Sequence, residues 1–245
     1  GLGDVYKRQT EELLDSLCAP VRNWFKDSFP DFTRPQKLAI PAIMERKNLL
    51  LCSPTGSGKT LTAFLTIIDK LVRLALDNKL EKKVHCVYIS PIKALANDIQ
   101  RNLIGPLSEI SETYLPDRAQ EIKVGLRTGD TSQSDRQKML RNPPHILITT
   151  PESLAIAITS PRFQPIVSEL EYMIVDELHS LVPTKRGVHL ALTLSYLDTL
   201  LKTPVQRIGI SATMEPLEKV AEYLVASDDQ ETRDNSSKVS IAKVS

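Results

Sequence analysis

From residue 48 onward, short apolar runs alternate with polar stretches of helix length. "NLLLCS" (48–53), "VHCVYIS" (84–90), "IKVGLRT" (122–128), "HILITT" (145–150), "YMIVDE" (172–177) and "VQRIGIS" (205–211) are strand candidates, several of them β-branched and continuously apolar. Such runs are expected where both faces of a sheet are covered. After the first run, Leu61, Phe64, Leu65, Ile68, Leu71, Val72 and Ala75 share one face at helical spacing, with Asp69, Lys70 and Arg73 turned outward. Further helices are predicted at 92–104, 132–141, 151–159, 188–201 and 215–225. This alternation predicts an α/β fold with a mostly parallel central sheet, flanking helices and right-handed crossovers. Ligands of such sheets bind at the carboxyl ends of the strands.

The two ends of the chain read differently. "GLGDVYKRQ" lacks the apolar core of a signal peptide, and residues 1–10 are taken as a non-native leader. Residues 11–226 form the expected domain. The tail 227–245 is read as a polar linker, "SDDQETRDNSSK", followed by "VSIAKVS" as the start of a second domain. Composition changes this picture little. The 245 residues are 41% hydrophobic and 25% charged, ordinary for a globular protein with a real core. With 31 Lys+Arg against 30 Asp+Glu the net charge is +1, so contact with a polyanion must rest on a local surface. No apolar window is long enough for a membrane helix. Cys18, Cys52 and Cys86 show no metal or redox spacing, Cys52 and Cys86 read as core residues, and a cytoplasmic location is expected. His85, His145 and His189 are scattered and are assigned no metal.

Candidate chemistry begins at "LLLCSPTGSGKTLTAFL", a strand, a glycine-containing loop and the start of a helix. Gly56 and Gly58 let backbone N–H groups turn inward around an anion, and the helix N-terminus adds partial positive charge. Thr55, Ser57 and the two glycines line the cradle; Lys59 would reach the β- and γ-phosphates and Thr60 would ligate Mg²⁺. Ser53 stands where the strict pattern has glycine. A plain Gly/Ser turn accounts for the glycines but not for Lys59-Thr60 at the first helical positions.

"YMIVDELHSL" (172–181) ends an apolar run in two carboxylates. Buried adjacent acids repel each other and resist desolvation, so their placement needs a reason. Three readings compete: a metal and water site, a strand exit, and acids set for a helix dipole. The dipole reading lacks a clear helix start after His179. The strand-exit reading stands only without the phosphate loop. With that loop present, Asp176 is placed to hold the ion and Glu177 to orient or deprotonate an attacking water.

Taken in order, these segments resemble the first RecA-like domain of a superfamily-two DEAD/DEAH-type helicase, a three-layer P-loop NTPase fold. "FTRPQKLAIPAI" resembles the Q motif, "SPTGSGKT" motif I, "SPIKALANDI" motif Ia, "RTGD" the Thr-Gly element, "TTPESL" motif Ib, "DELH" motif II and "SAT" motif III. "KRGVHLALTLSYLDTL" and "QRIGISATMEPLEKVAEYL" resemble segments of the Lhr (large helicase-related) group. The resemblance implies ATP-driven translocation on single-stranded DNA, 3′ to 5′, with unwinding of duplexes or hybrids. It implies that Gln36 reads the adenine edge, with Phe29 or Phe32 stacking on the base. It also implies a second RecA-like domain that supplies arginines, so the 245-residue chain alone is expected to hydrolyse ATP poorly.

The remaining residues carry paired readings. His179 either couples the γ-phosphate site to Ser211-Ala212-Thr213 through both ring nitrogens or is a surface histidine. Ser211 and Thr213 are hydroxyl donors or N-caps of the helix near Glu215. Thr150 with Pro151 reads as a helix start whose free N–H groups, like those after Pro91, would take a phosphate. Each of these, like Lys93, Arg127, Thr128, Gly129 and Glu152, is on its own a capped helix, a loop or a solvated side chain; the resemblance lines them along one edge as a backbone-tracking groove without base readout. "RQKMLRN" (136–142) is read as a solvated helix face. A non-catalytic nucleic-acid-binding module is the alternative, which intact Lys59, Asp176 and Glu177 argue against. A P-loop kinase or transporter ATPase would leave the motifs between 90 and 154 unexplained.

Overall fold

The computed structural model describes residues 2–54, 56–91, 96–213, 215–225 and 239–244. Its first elements are helices α1 (Leu2–Ser16), α2 (Ala19–Ser28) and α3 (Arg34–Met44). Then follow β1 (Asn48–Cys52), α4 (Lys59–Leu76), β2 (Cys86–Ile89), α5 (Ala96–Ile99), a π-helical turn, α6 (Gly105–Glu109) and a second π-helical turn ending at Tyr114. After β3 (Val124–Arg127) come α7 (Gln133–Arg141), β4 (Ile146–Thr149), α8 (Pro151–Ala157), α9 (Gln164–Val167) and β5 (Tyr172–Val175). α10 (Leu178–Leu181), α11 (Lys185–Leu200), β6 (Gln206–Ser211), α12 (Leu217–Val225) and β7 (Val239–Lys243) complete the order.

The seven strands form one parallel sheet in the order β3-β4-β2-β5-β6-β1-β7. Side chains alternate along each strand between two cores. Leu49, Leu51, Tyr88, Ile148, Ile174 and Ile208 join the core under α1 to α6. Leu50, Cys52, Val87, Leu147, Met173 and Val175 join the core under α8 to α12. All six apolar runs from 48 to 211 are strands, trimmed by a residue or two at their ends. Cys52 and Cys86 are fully buried, as expected of core residues.

Residues 2–10 are helical and continuous with the rest of α1. Two expectations differ from what is observed. Residues 239–243 do form a strand, but it hydrogen-bonds along β1 as the seventh strand of this same sheet; residues 226–238 of the expected linker lie outside the described residues. Asp69 does not face outward. It is buried, accepts the Cys18 N–H at 2.6 Å and the Arg73 Nε–H at 2.8 Å. The cause is α2, whose N-cap is Cys18: it covers that side of α4 and needs an acceptor for its free N–H groups.

Candidate active site

Parallel strands put the carboxyl ends of β1, β5 and β6 on one edge, so the glycine loop and the two acids meet. Both line a cleft of about 790 Å³, together with Phe29, Gln36 and residues from α5 and α6. Gly56 (φ 82°) and Gly58 (φ 77°) occupy the left-handed region, where a side chain would be strained. Gly58 is the N-cap residue of α4, and Lys59 and Thr60 open its first turn. Thr55 lies outside the described residues. The Ser53 and Ser57 hydroxyls hydrogen-bond across the loop. Serine in place of the first glycine therefore closes the turn with its side chain.

The Lys59 Nζ donates to the carbonyls of Ser53 and, at 3.0 Å, of Ser211, so it bridges the ends of β1 and β6. Burial pulls its pKa below the usual lysine value, while Asp176, Cys52 and Glu177 act in the opposite sense. Asp176 is buried and accepts the Tyr88 hydroxyl and, at 2.7 Å, the N–H of Glu177. Desolvation raises its carboxyl pKa; those two hydrogen bonds and the charge of Lys59 oppose the rise. The same burial, followed by the neighbouring charge of Asp176, raises the Tyr88 hydroxyl, so it remains a proton donor.

Glu177 sits at φ 56°, a left-handed conformation that a non-glycine residue adopts at a cost. This turns its side chain toward His179, whose Nε2 lies 3.0 Å from the Glu177 Oε2. The backbone N–H of Ala212 donates to the His179 Nδ1 at 2.9 Å. A ring nitrogen that accepts carries no proton, so the proton resides on Nε2 and points at the carboxylate. His179 thus links the acid motif to Ser211-Ala212-Thr213. Contrary to expectation, a one-turn helix, α10, does begin right after Glu177, its N-cap residue. Neither Ser211 nor Thr213 caps a helix: Ser211 ends β6 and donates to the Ala212 carbonyl, Thr213 is exposed, and α12 starts only at Leu217.

At the cleft's outer wall, Thr33 and Gln36 form a reciprocal capping box at the start of α3. The Gln36 Oε1 accepts the Thr33 N–H at 2.8 Å, which fixes this side chain in the cleft. Phe32 is buried and stacked on Phe25 with centroids 4.1 Å apart, whereas Phe29 lines the cleft.

The other half of the same edge gathers the second set of residues, after β2, β3 and β4. Thr150 caps α8, its Oγ1 accepting the Ser153 N–H at 3.3 Å, and Pro151 is the first helical residue. Thr128 and Gly129 are held from behind by Arg136, whose Nη2 donates to their carbonyls at 3.2 and 3.5 Å. Arg136 belongs to the stretch read as a solvated face; it is half-buried and supports this loop. The Arg127 guanidinium lies over the Phe163 ring, 5.3 Å from its centroid, and burial followed by the charge of Arg136 lowers its pKa. Glu152 pairs with Arg186 in both side-chain oxygens, which holds its pKa below the usual carboxylate value. Pro91 lies beside this pair, and Lys93 falls outside the described residues. At the opposite end of the sheet His85 and His145 prove not to be scattered: their rings lie 5.9 Å apart, and the His85 Nδ1 is 3.1 Å from Glu171.

Among the described residues, no three His, Cys, Asp or Glu side chains are grouped to hold a metal unaided. One carboxylate and one hydroxyl at the edge of a phosphate loop instead fit Mg²⁺, a hard ion that shares its oxygen ligands with phosphates and water.

Comparison with known proteins gives the family and the fold. Residues 33–221 match the family model described as DEAD/DEAH box helicase. The chain is 52% identical over 217 residues to ATP-dependent helicase Lhr-Core of Methanocaldococcus jannaschii, covering 88% of this chain and 25% of that protein. It is 45% identical over 221 residues to Lhr helicase/uracil glycosylase of Escherichia coli, covering 86% of this chain and 14% of that one. The solved structure of Mycobacterium smegmatis helicase Lhr bound to ssDNA and AMP-PNP superposes with a TM-score of 0.82 at 42% identity, over 95% of this chain and 28% of that one. The chain therefore spans about a quarter or less of the length of these curated relatives.

Proposed function

The chain belongs to the DEAD/DEAH box helicase family, and on that premise we propose that it is the ATP-binding half of an ATP-dependent helicase or translocase that moves on single-stranded nucleic acid, DNA in preference to RNA. The observation that carries this reading is the shared cleft of Lys59, Thr60, Asp176, Glu177 and Gln36. Thr60 and Asp176 would hold Mg²⁺, which would neutralise charge on the transferring phosphate. The loop N–H groups around Gly56 and Gly58 bind the phosphates, and Lys59 moves from its carbonyl partners to the β/γ region. Gln36 reads the adenine edge. Phe29, the aromatic that faces the cleft, stacks on the base. Glu177 orients the attacking water and takes its proton; His179 holds that carboxylate through Nε2–H and registers it against Ala212.

Pro91, Arg127, Thr128, Gly129, Thr150 and Pro151, with Lys93, form the edge that tracks a strand through its phosphates and sugars. Glu152 belongs to that edge as the partner of Arg186. The transition state also needs cationic charge, which we assign to arginines of a second RecA-like domain in the longer protein, with Ser211-Ala212-Thr213 passing on the state of the site. Support for a longer protein is the short fraction of each relative that this chain covers.

Glu177→Gln in the full-length protein is the test. An ATPase keeps nucleotide affinity and loses hydrolysis by at least about 100-fold. If turnover is unchanged, the domain is a binding module and the reading is wrong.

A further inference from the structure

We infer that Arg186 is a positioning residue that ties the nucleotide end of the sheet to the grip on nucleic acid. The inference rests on the nucleic-acid edge proposed above. Arg186 is the second residue of α11, and among the described residues its side-chain hydrogen bonds go to Glu152 and Pro91 rather than to the phosphate loop, Asp176 or Glu177. Its guanidinium instead gathers segments far apart in sequence. Nε donates to the Glu152 Oε1 at 2.6 Å and Nη2 to the Oε2 at 3.0 Å, a two-pronged pair with the first turn of α8. Nη2 also donates to the Pro91 carbonyl at 3.1 Å, just past β2. One side chain thus fixes the spacing of two loops that face the strand.

The link back to the acids is rigid. Glu177 is the N-cap residue of α10, and α10 abuts the start of α11 at Gly187. A Cβ at Gly187 would stand 2.1 Å from the Leu181 carbonyl oxygen, so the two helices meet backbone to backbone. The Thr184 Oγ1 accepts the Gly187 N–H at 3.3 Å and closes the corner. A shift of Glu177 and His179 on nucleotide binding therefore carries Arg186 with it, and Arg186 moves Pro91 and Glu152. Electrostatics adds to this, because Glu152 without its partner would place negative charge beside the phosphates. Side chains 47% and 51% exposed contribute little to stability as an ion pair, so the value of the contact is geometric.

The test measures the affinity of full-length protein for a fluorescent oligothymidylate with and without AMP-PNP. In the wild type the ratio of the two dissociation constants is expected to be about 5-fold or more. Arg186→Ala should bring it to within about 2-fold of unity while AMP-PNP affinity stays unchanged. Arg186→Lys keeps the charge but not the fork. It should bind the oligonucleotide as the wild type does without nucleotide, yet give the diminished ratio. An unchanged ratio in Arg186→Ala, a full ratio in Arg186→Lys, or a wild-type ratio of one overturns this inference and leaves the proposed function standing. A wild-type protein that binds no oligonucleotide overturns the proposed edge itself.

Discussion

Tyr88→Phe removes one oxygen atom and isolates what that oxygen does. The ring packs against Phe64 at a centroid distance of 5.2 Å and would remain in place. What disappears is the hydroxyl donated to the buried Asp176 carboxylate. A hydrogen bond to a charged group is worth about 1.5–3 kcal/mol, and the vacated carboxylate oxygen finds little water at 6% residue exposure. For a chain of this size the melting temperature should fall by roughly 3–12 °C. The pH dependence provides the sharper check. Asp176 already has a raised pKa, and the lost donor raises it further. A carboxyl whose folded pKa exceeds its unfolded value costs stability above that folded pKa, and the cost fades as the group protonates. The deficit of Tyr88→Phe is thus largest at neutral pH and shrinks as pH falls through the raised pKa of Asp176. Thermal unfolding of wild type and variant in parallel across this range would show it. A deficit below about 1 °C at neutral pH, or one equally large in acid, would refute the reasoning.

Two further outcomes follow from the same geometry. Gly58→Ala, at φ 77°, should lose about 1–2 kcal/mol by thermal or denaturant unfolding and weaken nucleotide binding in a titration. Glu171 is pushed up by burial, but hydrogen bonds from His85 and Lys70 outweigh this and bring its pKa down to about 2. Its stabilisation is full above the ordinary carboxylate range and lost as pH falls toward about 2. Glu171→Gln should therefore destabilise the protein at neutral pH, and the two denaturation curves should converge in acid; curves equally far apart at both ends would argue against the pairing.

The sheet was readable because several of its first six strands are continuous apolar runs, and the order of loops along one edge followed from parallel connections. The helices before residue 48 escaped notice although Leu13, Leu17, Val21, Trp24 and Phe25, all buried, keep helical spacing. Their misreading also explains Asp69, since nothing in its own helix announces that a second helix will need its oxygen. Lys59, Asp176 and His179 could be picked out locally, each lying beside its motif neighbours. Tyr88, Arg136 and Arg186 could not. Tyr88 meets Asp176 across 88 positions and Arg186 meets Pro91 across 95, and such long-range partners leave no periodic or compositional trace. That Phe32 is buried while Phe29 lines the cleft was likewise not legible, since two phenylalanines three residues apart do not declare their burial.

A single hydrogen-bonded sheet carries both halves of the edge, β3, β4 and β2 on one side and β5, β6 and β1 on the other. Such a plate does not stretch, so the ends of β1, β5 and β6 keep a fixed distance from the ends of β2, β3 and β4, and only the loops beyond them can adjust. The sheet is an anvil in this sense: any large change in that distance has to come from outside it.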